Sequence, residues 1–558
     1  MIKPNFLHLF ALLLLCFCSS PQQSENIATP EPQAEAKPFD WRNATVYFLL
    51  TDRFNNGQTN NDLNFDRDQE AARLRGFLGG DIAGITQKIE EGYFDSLGVN
   101  AIWFTPVVEQ IHGATDEGTG LTYGYHGYWA KDWTTLDPNF GTLEELTTLV
   151  ETAHEHEIRI LLDVVANHTG PVTERDPQWP DSWVRTDPTC SYEGYESTVE
   201  CTLVENLPDI HTEKASEVDL PPQLLEKWET EGRLEQEMEE LEAFFERTGY
   251  PRAPKYYLIK WLTDYVRELG VDGFRVDTAK HTEAEIWAEL KKEALAALRA
   301  WKEANPGKKL DENPFWMVGE VYNYSAGSGQ PYDYGDSTIN FYDYGFESLI
   351  NFDFKYDAQN DYESVFTKYD TLLHGGSLDG VNVMNYLSSH DDGAPFDPQR
   401  VRSEEAANKL LLAQGAAQIY YGDESDRSLI IPGTEGDATL RSFMNWEAIQ
   451  QTDSVKQVVE HWNKLGQFRN QHVAIGAGRH AQLAESPYTF ARTYQQNGLE
   501  DKVVVALNAP EGAKQISVGD IFAEGTQLTD AYSGQHAEVS GGAVTIDSPY
   551  AVVLLADE

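Results

Sequence analysis

Cysteine is nearly absent from this chain, with four in 558 residues, and methionine occurs only five times. So few cysteines cannot staple a scaffold of this length, and the fold must rest on a packed core. Basic residues are also scarce: 42 Lys and Arg stand against 91 Asp and Glu, a net charge of −49. That imbalance repels polyphosphates and anionic membrane surfaces, excludes nucleic acid as a partner, and reads as a strongly solvated surface. No apolar run reaches the roughly 20 residues that a membrane-spanning helix needs.

The one extended apolar run, Phe6 to Phe17, is broken only by His8 and follows Lys3. That pattern predicts a secretory signal over residues 1–18. Residues 19–39 are polar and carry Pro21, Pro30, Pro32 and Pro38, which predicts a disordered tether. Leu15-Cys16-Phe17-Cys18 resembles a bacterial lipoprotein cleavage site with Cys18 as the lipidated residue, although Phe17 stands where a small residue is usual. The expectation is an exported protein, periplasmic or anchored at the outer membrane by lipid alone, with simple secretion as the alternative. Cys190 and Cys201 remain. In an exported chain their ten-residue spacing favours a disulfide over free thiols or a metal site.

Apolar residues at 41% and aromatics at 12% are enough for a well-packed interior. From Ala44 to about Leu465, short apolar strands alternate with amphipathic helices, as in parallel sheets and barrels. Eight strands are expected: Val46 to Leu50, Ala101 to Thr105, Ile158 to Val165, Val271 to Asp277, Phe315 to Glu320, Ile350 to Phe354, Val381 to Leu387 and Ala416 to Tyr420. Eight is the number that closes an α/β barrel. Thr282 with Glu285 predicts a capping box for a helix that buries Trp287, Leu290, Ala294, Leu298 and Trp301. Thr142 with Glu145 predicts another, with Leu143, Leu146, Val150 and Ala153 turned inward.

Nearly ninety residues separate the third strand from a helix expected over Tyr256 to Leu269, far more than a normal loop. They predict an inserted subdomain, in which Leu234, Met238, Leu241 and Phe245 mark the packed face of an acidic helix. Beyond about Ile475, short strands alternate with Gly-rich turns. The fold expected is thus a (β/α)8 TIM barrel over residues 40–168 and 255–465, an insertion over 169–254 and a C-terminal β-sandwich domain over 466–558.

In such a barrel, chemistry collects at the carboxyl ends of the strands. Four strand ends carry candidates: Asp163-Val164-Val165-Ala166-Asn167-His168, Arg275-Val276-Asp277, Gly319-Glu320 and Ser388-Ser389-His390-Asp391-Asp392. Period-two alternation puts Arg275 and Asp277 on one face, either as a structural ion pair or as a carboxylate kept ionised for nucleophilic work. Each candidate also has a plain structural reading. Glu320 would cap a helix, His390 would pair with Asp391, and Asn167 would make a turn.

Taken together, these four segments resemble the four conserved regions of the α-amylase family, glycoside hydrolase family 13, in order. Leu207-Pro208-Asp209-Ile210 resembles the fifth, and Gly80-Asp81, Tyr125-His126-Gly127-Tyr128-Trp129 and Ile419-Tyr420-Tyr421-Gly422 extend the likeness. The segments at Ala279-Lys280-His281 and Phe315 to Glu320 look closest to bacterial periplasmic α-amylases. The resemblance implies Asp277 as nucleophile, Glu320 as general acid/base and Asp391 as the carboxylate that steadies the transition state. It implies sugar contacts from His126, His168 and His390, an aromatic platform at Tyr128, and leaving-side contacts from Lys280 and His281. Arg275 is implied to hold Asp277 ionised, while neighbouring carboxylates raise the proton affinity of Glu320. A structural calcium is implied at Asn167, Asp209 and the backbone carbonyl of His281. A weaker second calcium loop is implied at Asn56, Asn60, Asn61, Gly79 and Asp81, where Asn56 and Gln58 depart from the pattern.

The activity implied is retaining, endo-acting hydrolysis of α-1,4-glucosidic bonds in starch or maltooligosaccharides. Cyclomaltodextrinase, neopullulanase and glucan transglycosylase share the same machinery. A non-catalytic glycan-binding lipoprotein is the reading from another class; its mark would be a lost catalytic carboxylate, and none is lost. A monomer is expected.

Overall fold

The computed structural model describes residues 39–116, 118–496 and 498–557. The expected signal with Cys18, and the tether up to residue 38, lie outside the described residues. Eight strands, β1 (Thr45–Leu49), β2 (Ala101–Phe104), β3 (Arg159–Val164), β4 (Gly273–Val276), β5 (Trp316–Gly319), β6 (Ser348–Asn351), β7 (Asn382–Tyr386) and β8 (Ala416–Tyr420), form a closed barrel. All eight pairings are parallel, and β1 closes the ring by lying against both β2 and β8, with Thr45 beside Ala417. Every residue in these strands is buried, which is why they read as continuous apolar runs and not as alternating ones. The sixth strand, expected over Ile350 to Phe354, runs over Ser348–Asn351, and Phe354 opens a short helix, Phe354–Asp357.

Gly273 opens β4 for a steric reason. A Cβ there would sit 2.4 Å from the Trp316 carbonyl oxygen, so β4 approaches β5 this closely only with glycine. The helix Ala284–Ala304 buries Trp287, Leu290, Ala294, Leu298 and Trp301 against the barrel. Its expected capping box does not form. The helix begins after Glu283 with no side-chain cap, the Thr282 hydroxyl is buried without a partner, and Glu283 instead accepts a bond from the Thr212 hydroxyl of the inserted region. The Thr142–Glu145 box does form on the helix Leu143–Glu155, where Leu146, Val150 and Ala153 are buried and Leu143, at the first position, is exposed.

Between β3 and the helix Pro254–Leu269, the chain builds the helices Pro222–Thr230 and Leu234–Thr248 and a short antiparallel pair, Val184–Arg185 with Asp209–Ile210. Cys190 and Cys201 are joined in a disulfide. On Leu234–Thr248 the buried face is carried by Leu241, Phe244 and Phe245, and Met238 is exposed.

The strands after Arg479 form a six-stranded antiparallel sheet and a two-stranded one, whose facing residues include Val504, Ile516, Leu528, Val544 and Leu555. The helix Asp453–Gln471 runs through residues 465 and 466, where the C-terminal domain was expected to begin. Its Arg469 is wholly buried and donates to the carbonyls of Leu411, Ala413 and Gly415. Arg492, from the C-terminal sheet, donates to the adjacent Leu412 carbonyl at 3.0 Å.

Candidate active site

The carboxyl ends of β3, β4 and β5 meet at one guanidinium. Arg275 is 1% exposed. Its Nη1 donates to Asp163 Oδ1 and Asp277 Oδ1, each at 2.9 Å, and its Nη2 lies 3.0 Å from Glu320 Oε1. Strand register explains the first contact, because Arg275 stands beside Asp163 in the β4–β3 ladder. Asp163 is fixed in turn by the Trp103 indole and the Tyr128 hydroxyl, both donating to Oδ2 at 2.9 Å. One buried cation therefore organises three carboxyl groups, where sequence reasoning foresaw one partner. The signal for Asp163 was present, as an acid inside an apolar strand that needed a counter-ion.

Thr278, next after Asp277, adopts φ 47°, a left-handed conformation that a β-branched residue avoids. The twist aims its backbone N–H at Glu320 Oε2, 2.9 Å away. The ladder continues this link: Glu320 N donates to Val276 O and Ala279 N to Glu320 O, both at 2.9 Å. Glu320 caps no helix; it is tied to the strand that carries Asp277.

Burial is the main influence on both carboxyl groups. It raises Glu320 to about 8, with the charges of Asp277 and Asp391 adding and Arg275 opposing. Asp277 is raised to about 6, where Arg275 offsets only part of the burial cost. Two expectations are adjusted: crowding by carboxylates is secondary to burial at Glu320, and Arg275 moderates the rise at Asp277 without abolishing it. Near neutral pH, Asp277 is ionised and Glu320 holds its proton.

Asp391 stands at the mouth of the cluster with its side chain 35% exposed. His390 Nδ1 lies 3.7 Å from Asp391 Oδ1, a contact that is an ion pair only with the ring protonated, and 3.2 Å from Ser389 Oγ. The adjacent Asp392 pairs with Lys355. Arg441, which the sequence did not single out, donates to the His390 carbonyl at 3.0 Å and pairs with Asp437.

The three expected histidines gather around Tyr128. His126 and His390 stack near its ring at centroid distances of 5.7 and 5.3 Å, and His168 Nε2 lies 3.0 Å from the Tyr128 carbonyl. Burial lowers all three, His168 to about 4 and the other two well below the ordinary range, so each is a neutral ring. Lys280 is buried and bonds the Tyr332 hydroxyl at 3.1 Å; burial lowers it to about 8, with the charge of Glu320 opposing. His281 Nδ1 meets the Thr198 carbonyl at 3.0 Å.

Asn167 joins the barrel to the insertion. Its Nδ2 lies 2.8 Å from Asp209 Oδ1 and 2.9 Å from the His281 carbonyl. Asp209 Oδ2 is buried with no hydrogen-bond partner, 3.4 Å from Arg185 Nε, and burial raises this carboxyl to about 9 with Arg185 opposing. With the Asn167 amide turned over, its Oδ1 joins Asp209 Oδ1 and the His281 carbonyl oxygen as a third oxygen donor, the other two each lying within hydrogen-bond distance of that amide. The set fits a hard, oxygen-ligated cation. Among the described residues, no group of three or more His, Cys, Asp or Glu side chains is arranged for a metal, so the donors here are one carboxylate, one amide and one carbonyl.

The second loop does not fit. Asp81 accepts four bonds of 2.7–3.0 Å, from the N–H groups of Gly57, Gln58 and Gly84 and from Asn61 Nδ2, which use both its oxygens in capping the helix Ile82–Glu90. Asn56 donates to Asp62, Gly79 takes φ 100° in the turn, and Asn60 is exposed. Backbone N–H groups satisfy this carboxylate where a cation was expected.

Two carboxyl groups of unequal proton affinity, held side by side on one guanidinium at the carboxyl end of a barrel, are the equipment of a glycoside hydrolase, and that is the class of enzyme the fold and site define. The family model described as "Alpha amylase, catalytic domain" matches residues 48–471. The chain belongs to the α-amylase family. It is 38% identical over 526 residues to the periplasmic α-amylase of Escherichia coli (strain K12), covering 84% of this chain and 72% of that protein. It is 26% identical over 466 residues to the cyclomaltodextrin glucanotransferase of Bacillus sp. (strain 1011), covering 78% of this chain and 55% of that one. Among solved structures, the α-amylase of Geobacillus thermoleovorans in complex with acarbose superposes with a TM-score of 0.64 at 21% identity, covering 93% of this chain and all of that one, which supports the fold.

Proposed function

We propose that this enzyme hydrolyses internal α-1,4-glucosidic bonds of starch or maltooligosaccharides with retention of anomeric configuration. The observation that carries this reading is the Arg275 cluster, in which Asp277 and Glu320 lie against one guanidinium with their proton affinities split around neutrality. Asp277, ionised, attacks the anomeric carbon. Glu320 gives its proton to the departing glycosidic oxygen, and then takes one from the water that releases the covalent intermediate. Asp391 faces the oxocarbenium-like charge from the cleft mouth. The neutral rings of His126, His168 and His390 offer hydrogen bonds to sugar hydroxyls without competing for the carboxylates, and Tyr128 supplies a stacking surface. Lys280 and His281 meet the leaving fragment.

Calcium is the cation we assign to Asn167, Asp209 and the His281 carbonyl, where it would brace the insertion against the segment that follows the nucleophile. Export is supported by the likeness to a protein named as periplasmic and by the Lys3 to Cys18 pattern. A second reading, glucan transfer, is favoured by the likeness to cyclomaltodextrin glucanotransferases. Time-resolved product analysis on starch, cyclodextrin, pullulan and defined maltooligosaccharides, with the product anomer read by NMR, separates these. A first product in the β-configuration would refute retention, and dominant cyclic or elongated products would favour transfer.

A further inference from the structure

What aims Asp391 is the backbone on either side of it. Its carboxylate is 35% exposed and lies 3.7 Å from His390 Nδ1, beyond hydrogen-bond reach of a ring that burial keeps neutral. The peptide before it is held by Arg441, whose Nε donates to the His390 carbonyl at 3.0 Å. The residue after it is held by a second cation. Asp392 Oδ2 pairs with the Lys355 ammonium, and Asp392 Oδ1 accepts the Ala394 N–H at 2.9 Å, which closes the turn just beyond Asp391.

Lys355 comes from a neighbouring strand end. In the ladder of β6 with β7, Asn351 stands beside Asn385, so the chain leaving β6 into the helix Phe354–Asp357 rises next to the chain leaving β7 toward Asp391. Lys355 and Asp392 are both buried. Lys355 Nζ also donates to the hydroxyl of Tyr386, the last residue of β7, at 3.4 Å, and lies 4.9 and 5.5 Å from the ring centroids of Tyr356 and Tyr386. Burying a lysine here sacrifices hydration and rotamer freedom, and neutral groups could close a turn without that cost. What the cation adds is compensation of charge. Two carboxylates stand in sequence, and with Lys355 on the second, Asp392 does not compete with Asp391 for a developing positive charge.

We propose that Lys355 is a positioning residue for the reaction: through Asp392 it fixes the turn that carries Asp391, and so sets where that carboxylate meets the charge developing on the sugar. The proposal rests on the hydrolase reading above. Lys355 acts through Asp392.

The test is a double-mutant cycle. In Lys355→Met, kcat on 4-nitrophenyl maltotrioside is expected to fall on the order of a hundredfold with KM nearly unchanged, the mark of a contact realised in the transition state. Lys355→Arg should restore most of that rate. In Asp391→Asn, adding Lys355→Met should cost less than about threefold, because the group being positioned is gone. Circular dichroism melts set an assay temperature at which every variant is folded. A purely structural role predicts instead the same loss in both backgrounds, and that result overturns the proposal, as does an unreduced kcat in Lys355→Met. Should Lys355→Met fail to fold, Asp392→Ala takes its place in the same cycle, with the same expected and refuting outcomes. Equal losses in an enzyme that cleaves starch remove this proposal alone. Failure of the unmodified protein to cleave either starch or the nitrophenyl substrate removes the hydrolase reading and this proposal with it.

Discussion

Replacing Arg275 by methionine keeps most of the side-chain volume and removes the cation shared by Asp163, Asp277 and Glu320. Each charge-assisted bond contributes about 1.5–3 kcal/mol, and a pKa unit corresponds to about 1.36 kcal/mol, so loss of one bond raises its carboxyl by about 1–2 units. Arg275 opposes the rise at both Asp277, now at about 6, and Glu320, now at about 8. The expected signature in Arg275→Met is thus a pH profile of kcat/KM whose two limbs both move to higher pH, with the greatest loss of rate at pH 6 and partial recovery above pH 8. The limbs belong to the coupled site, so their joint movement is the quantity to read. Removing one side of a buried ion cluster also costs about 3–5 kcal/mol of stability. That deficit has a definite sign. With no counter-ion, the carboxyls are raised above their unfolded values, so stability is retained at low pH and lost as pH climbs through the neutral range. The assay is kcat/KM on 4-nitrophenyl maltotrioside from pH 4.5 to 9.5, with circular dichroism melts at each pH. An acid limb still near pH 6, with only the height of the profile reduced, would falsify the electrostatic role given to Arg275.

Asp277→Asn should lower turnover by about three orders of magnitude or more while leaving the melting temperature close to that of the unmodified protein; near-native turnover would remove its assignment as nucleophile. For Glu320→Gln the expected effect on stability depends on pH. The unmodified protein loses stability as pH rises from the ordinary value of 4.5 to about 8, so the variant should melt higher above pH 8 and converge with it near pH 4.5. An advantage of equal size at both pH values would contradict burial as the cause. Chelation with EGTA should lower the melting temperature, and calcium at a hundredfold excess over Kd should restore about 2.7 kcal/mol of stability. Asp209→Asn should blunt that response, and unchanged melts with and without chelator would count against the site.

Much of the barrel was legible because its strands are buried on both faces and so stand out as apolar runs between helical patterns. The sixth was misplaced by two residues: Ile350, Phe352 and Phe354 continue an apolar alternation around Asn351 and Asp353, and nothing local says where strand becomes helix. The Thr282–Glu285 box failed because a tertiary partner, Thr212, took up Glu283 and set the start of the helix elsewhere. Asp277, Glu320 and Asp391 were readable from strand ends and family likeness. The double role of Arg275 toward Asp163 and Glu320 was not, since it depends on the register of β4 with β3, across the whole insertion, and with β5, across the helix Ala284–Ala304. The second calcium loop looked plausible as a string of oxygen-bearing side chains. What the string did not reveal is that backbone N–H groups already use both oxygens of Asp81.

The closure of β1 against β8 also bears on how the molecule comes into being. Thr45 is among the first barrel residues to be synthesised, yet its partner on one side is Ala417. Until the ribosome has passed β8, β1 has one open edge, and the ring cannot be completed from the N-terminus inward. Such distant pairing makes for slow folding and leaves a growing chain with strand edges that other chains can join. The same delay keeps the polypeptide unfolded until synthesis is nearly complete, so a chaperone that holds unfolded chains would serve its solubility.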